Sequence, residues 1–153
     1  MGAADRSSFI YVTYIRSTPE KLWEALTDPQ FTCKYWFDMI VECGWKKGSP
    51  WKLLYPDGRL VVAGEILEVE PQRRMIIRWQ DQLRPDIKAE GPGRCTIELE
   101  PVGRAVKLTI THEIDRPESK LIKAVSGGWP QVLSNLKSLL EMGEIAITEQ
   151  DNQ

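Results

Sequence analysis

The chain predicts an α+β protein in which one long C-terminal helix lies across a mostly antiparallel sheet. Two observations carry this. From Gly127-Gly128-Trp129-Pro130 to Glu141, the residues Trp129, Val132, Leu133, Leu136 and Leu140 recur at helical spacing and share one face. From Arg59 to Ile114 almost every segment instead reads as strand, with turn residues between the runs. A third observation, two helix-start signals at Ser17-Thr18-Pro19-Glu20 and Asp28-Pro29, places a pair of short helices after the first strand.

Ser8 to Ser17 is rich in β-branched and aromatic residues and predicts the first strand. A helix then runs to about Thr27, burying Leu22, Ala25 and Leu26; Ser17 with Glu20 fits a capping box, and Thr18 before Pro19 fits an N-cap. The second helix spans about Pro29 to Trp36. Short strands are expected at Met39–Cys43 and Pro50–Leu54, with Pro56-Asp57-Gly58 as a hairpin turn. Leu60 to Val69 makes a long strand in which Gly64 suggests a bend or bulge. Met75 to Trp79 follows. Asp81 to Gly93 is polar, holds two prolines and two glycines, and reads as a mobile loop. Arg94–Glu100 and Ala105–Ile114 alternate cleanly and form a hairpin with one buried and one wet face. Pro117 to Val125 reads as a short helix, broken by Ser126-Gly127-Gly128 before the long one, which closes at Gly143.

At 153 residues the chain is expected to be a single domain over 8–143, with flexible termini at 1–7 and 144–153. A net charge of −2 with no basic stripe argues against nucleic-acid binding. No run approaches the roughly 20 apolar residues of a membrane span, and the first residues do not resemble a signal peptide. Cys33, Cys43 and Cys95 are an odd set without CxxC spacing, so free thiols and a cytoplasmic location are expected. A single histidine without HExxH or paired cysteines offers no metal set, and no motif calls for a cofactor. No GxSxG or comparable nucleophile motif occurs, so enzymatic activity is not expected.

Several stretches resemble one family. Ser17 to Pro29 is similar to its "APxxVWxALTDP" segment, and Tyr35-Trp36-Phe37 to the aromatic stop after it. Gly64-Glu65-Ile66-Leu67-Glu68-Val69-Glu70-Pro71, with Trp79 beyond, resembles "GxVLEVEPPxxLxxxW". Leu108 to His112 and Gly128 to Glu141 resemble its last strand and last helix. The chain, over about Phe9 to Met142, thus resembles the START-like superfamily (SRPBCC, helix-grip or Bet v 1-like), closest to the branch of activator of heat-shock protein 90 ATPase homologues. The resemblance implies a helix-grip fold: a curved antiparallel sheet of six to seven strands wrapped around the long helix, with an apolar cavity between them. It also implies two kinds of partner, a second copy in a homodimer and a chaperone.

Against that fold, the tryptophans matter most, because indole rings fill cores and also line apolar ligand sites. The expected function is binding of a small hydrophobic or amphipathic molecule between helix and sheet. The residues expected to line the site are Trp36, Phe37, Trp79, His112, Trp129, Leu133 and Leu136. Each also reads as packed core. His112 shares a strand face with Val106, Leu108 and Ile110 and so points inward. It is the one candidate base for a cyclase- or hydrolase-like alternative, and reads more simply as a hydrogen-bonded core histidine. Glu65 and Arg78 are strand charges whose facing the pattern leaves open.

Overall fold

The computed structural model describes residues 5–148 and 151. The ends expected to be flexible therefore fall partly outside the described residues, at 1–4, 149, 150, 152 and 153. Eleven elements follow in order: β1 (Ser7–Ile15), α1 (Pro19–Thr27), α2 (Pro29–Tyr35), β2 (Ile40–Cys43), β3 (Pro50–Leu54), β4 (Leu60–Glu70), β5 (Arg74–Asp81), α3 (Pro85–Lys88), β6 (Gly93–Val102), β7 (Ala105–Ile114) and α4 (Lys120–Met142). The strands make one seven-stranded antiparallel sheet in the order β1-β7-β6-β5-β4-β3-β2. The expected architecture is the observed one, an antiparallel sheet and a long C-terminal helix with two short helices after β1.

The helix pair is set by local chemistry. Of the two caps the sequence allows, Thr18 is used: its Oγ1 accepts from the Lys21 N–H at 3.2 Å, and Pro19 holds N1, where a missing donor costs nothing. Asp28 ends α1 by donating its N–H to the Glu24 carbonyl and starts α2 by accepting from the Gln30 N–H at 2.9 Å. One residue thus satisfies both ends, which forces the kink. The buried Tyr35 hydroxyl donates to the Ala25 carbonyl at 2.9 Å and ties α2 back onto α1.

Curvature enters through β4. The ladders slip at two places on β4, at Val61 against β3 and at Leu67 against β5, three residues to either side of Gly64. Gly64 serves a different purpose. It pairs with Trp51 on β3 and Trp79 on β5, and an added Cβ would fall 2.3 Å from the Arg78 carbonyl oxygen. Beside it, Glu65 and Arg78 face solvent as a half-exposed pair at 3.8 Å, so neither charge enters the core.

Two expectations fail between β5 and α4, for related reasons. The loop expected over Asp81–Gly93 contains α3, anchored by Ile87 at 1% exposure. Just after it, the Glu90 carboxylate accepts from the Ser119 hydroxyl and the Lys120 N–H, both at 2.7 Å, and from the Leu121 N–H at 3.3 Å. An acidic group thus caps a helix N-terminus from a distant part of the chain. Burial alone would raise the Glu90 pKa, but these hydrogen bonds and the nearby Arg116 bring it below its ordinary value.

The second failure is the expected break at Ser126-Gly127-Gly128. Helix α4 runs unbroken for 23 residues, with both glycines and Pro130 inside it. Each interior glycine costs about 1 kcal/mol and the proline about 3 kcal/mol relative to alanine. What outweighs that cost is burial on one face: Leu121 at 1% exposure, Trp129 at 4%, Val132 at 4%, Leu133 at 1% and Leu136 at 0%. The closing signal behaves as expected, since Gly143 takes φ 84° and returns its N–H to the Leu139 carbonyl. Beyond it, the fully buried Asn135 accepts from the Ala146 and Ile147 N–H groups at 3.0 and 2.7 Å and donates to the Ile147 carbonyl at 2.8 Å.

Strand β1 is a sheet edge, and α4 covers only its C-terminal end. Lys137 Nζ donates to the Tyr14 carbonyl, and the Arg16 N–H donates to Glu141 at 2.8 Å. In an antiparallel ladder a residue's N–H and C=O point the same way and alternate along the strand. Ser8, Ile10 and Val12, of the same parity, therefore turn theirs to the open edge.

Candidate functional site

Four tryptophans from four elements converge beneath α4. Trp36 caps α2, Trp51 and Trp79 project from β3 and β5, and Trp129 from α4. Their ring centroids lie 5.1 Å apart for Trp51–Trp79, 5.2 Å for Trp36–Trp129 and 5.8 Å for Trp79–Trp129. Trp51 and Trp79 sit two strands apart, about 9.6 Å by backbone spacing, on either side of Gly64, and their indoles close that gap by leaning toward each other. The tilted geometries are those that aromatic quadrupoles favour.

His112 lies under this cluster, fully buried, with its ring edge-on to Trp79 at 4.9 Å. Its Nδ1 accepts from the Trp129 indole N–H at 3.3 Å, so its proton resides on Nε2, which has no hydrogen-bond partner among the described residues. Burial lowers its pKa to about 3. The imidazole is therefore neutral at physiological pH, and its one lone pair is already engaged. Such a group orients Trp129; it is poorly suited to abstract a proton. Directly opposite on β6 is Cys95, whose thiol burial pushes up in pKa.

Above the indoles is a cavity of about 180 Å³. The pocket is open to solvent and is lined by Trp36, Trp79 and Trp129, by Leu53 and Val62 from β3 and β4, and by Val125 and Gly128 from α4. Its one charged lining residue is Asp81. A larger groove of about 820 Å³ runs past the β4–β5 turn, and it is lined by charges of both signs, including the pair Arg73–Glu70 at 2.9 Å. The smaller pocket has the mostly apolar, aromatic lining characteristic of small-molecule sites.

Of the residues expected to line a site, Trp36, Trp79 and Trp129 come together around the cavity. His112 lies behind Trp129 rather than on the lining, Leu133 and Leu136 are packed in the core, and Phe37 sits half-buried at φ 51° outside the lining. Trp51, Val62, Asp81 and the Leu121–Val125–Gly128 face of α4 went unrecognised. Reading α4 as broken hid that last face, since Leu121, Val125, Gly128, Trp129 and Val132 form one stripe only in an unbroken helix. Among the described residues no three His, Cys, Asp or Glu side chains gather as a metal site, Cys33, Cys43 and Cys95 are free thiols, and no helix is long and apolar enough to cross a membrane.

A family model described as "Activator of Hsp90 ATPase homolog 1-like protein" matches residues 16–141. No curated protein matches the chain. Solved structures that share its fold include a protein of Mesorhizobium loti, 23% identical with a TM-score of 0.76, covering 91% of this chain and 100% of that one. The Aha1 dimer from Colwellia psychrerythraea is 21% identical with a TM-score of 0.71, covering 90% and 98%. An HSP90 activator from Plasmodium falciparum is 23% identical with a TM-score of 0.71, covering 87% and 95%.

Proposed function

The chain belongs to the family of activator of Hsp90 ATPase homolog 1-like proteins, and on that footing we propose that it binds a small, ring-sized apolar molecule in the cavity under α4. The observation that carries this reading is the cavity itself: about 180 Å³, based on three indoles, between helix and sheet. An apolar cavity of about 150 Å³ holds a benzene ring, so this one suits one or two fused rings and is too small to enclose a long acyl chain. Burying about 200 Å² of ring surface at about 25 cal/mol per Å² gives about 5 kcal/mol, the scale of a submillimolar ligand. Titration with 2-phenylethanol is expected to shift tryptophan emission saturably, and Val62→Phe, which fills the cavity, to weaken binding at least about tenfold while the protein stays folded. Absence of any saturable response across mono- and bicyclic aromatics would dismiss the reading.

A second reading is self-association through β1, and one feature favours it. Ile10, Val12 and Tyr14 are 62%, 43% and 48% exposed in a row on this edge strand. Its open backbone run, Ser8 to Val12, is centred on Ile10, so antiparallel pairing with a second copy would set Ile10 against Ile10 across a two-fold axis. Sedimentation should then detect a dimer that Ile10→Lys disperses. A monomer at every concentration, or a stripe that engages only a chaperone, would remove this reading.

A further inference from the structure

Resting on the cavity reading, we infer that Asp81 makes the site selective for ligands carrying a positively charged nitrogen beside the ring, an aryl-alkylamine rather than an aryl acid or alcohol. Asp81 is two residues beyond Trp79 on β5 and so shares its inward face. Its Oδ1 accepts from the Leu83 and Arg84 N–H groups, both at 2.8 Å, which fixes the carboxylate at the head of the turn after β5. Among the described residues Oδ2 accepts no hydrogen bond and Asp81 joins no salt bridge. Arg84, whose N–H caps Asp81, commits its guanidinium to Asp86 at 3.1 Å. A half-buried carboxylate with no ion pair among the described residues thus lines the same pocket as three indoles. Indole faces attract cations, so an ammonium held between Asp81 and Trp36, Trp79 or Trp129 gains from both, whereas a carboxylate meets repulsion. The ring fills the base and the nitrogen stays at the rim, where it keeps part of its hydration.

Three probes of matched shape test this by calorimetry on the intact protein: phenethylamine, 2-phenylethanol and 3-phenylpropanoate. Phenethylamine is expected to bind about tenfold tighter than the alcohol, with the acid weakest, and the preference should shrink as salt is raised. Asp81→Asn is the decisive variant, because the amide oxygen still accepts both turn N–H groups while the charge is gone. Its preference for the amine over the alcohol should disappear, read as the ratio of the two affinities within the variant, whatever their absolute values. Equal binding of all three probes to the wild type would overturn the inference and leave the cavity reading standing. An amine preference that survives in Asp81→Asn would reduce Asp81 to a turn cap and overturn it too. Binding of none of the three would overturn the inference and the cavity reading together.

Discussion

Trp129→Ala is expected to destabilise the protein by about 3–5 kcal/mol, the range for truncating a buried tryptophan. At 4% exposure, Trp129 joins α4 to Trp36 and Trp79, and among the described residues its N–H is the sole donor to His112 Nδ1. Truncation therefore removes packing and leaves a buried acceptor unsatisfied. Trp129→Phe separates the two effects. It retains an aromatic ring but no donor, and should cost about 1–3 kcal/mol, mainly through the unmet imidazole. Urea unfolding of both variants supplies the comparison. Against a typical total of about 5–15 kcal/mol, the alanine variant would lie near the limit of folding. A loss below about 1 kcal/mol would mean that the indole does not hold the helix to the sheet.

Acid should weaken the fold through His112 well before the carboxylates respond. In the folded state burial holds its pKa at about 3, against 6.5 for the exposed group. Between those values the unfolded chain binds a proton that the native protein does not. Stability consequently rises with pH across this window and falls on acidification, by up to about 1.4 kcal/mol per pH unit. His112 is the only histidine, and the residues packed on it (Cys95, Trp79 and Trp129) supply no carboxylate to offset the effect. From pH 6.5 to 4.5 the expected loss is about 2 kcal/mol. His112→Gln keeps an acceptor for Trp129 but cannot titrate, so its stability should be nearly flat over that interval, whatever its absolute value. A wild type with the same flat profile would contradict the buried, neutral imidazole. At lower pH, Asp57, Asp86 and Glu141 add a loss of the same sign, because hydrogen bonds to each hold its pKa below the ordinary carboxylate value.

How far the site could be read in advance is clear from particular residues. Strand alternation put His112 inward, and it is inward; helical period put Trp129 on the buried face of the last helix, and it is buried. Those readings need only the local rule that side chains repeat every 2 or 3.6 residues. The partnership between the two rings, 17 residues apart in the chain, could not be read in the same way. Gly64 shows the limit most sharply. Sequence marks it as an interruption in a strand, yet the reason a side chain is barred there is the Arg78 carbonyl on β5, brought close by the pairing register.

What the chain determines by itself is therefore the set of elements and their faces: caps at Thr18 and Asp28, alternation in β6 and β7, and a stop at Gly143. Each follows from interactions within a few residues, where the backbone's own hydrogen-bond needs and side-chain period dominate. The tertiary structure decided the rest. It carried α4 through two glycines and a proline because burying Leu121 and Trp129 on one continuous face outweighs their propensity cost. It brought Glu90 across 30 residues to cap that helix, and it made a cavity lined by three of the four clustered tryptophans. Those outcomes rest on contacts between distant segments, whose energy depends on how the sheet curves, and no local pattern encodes that curvature.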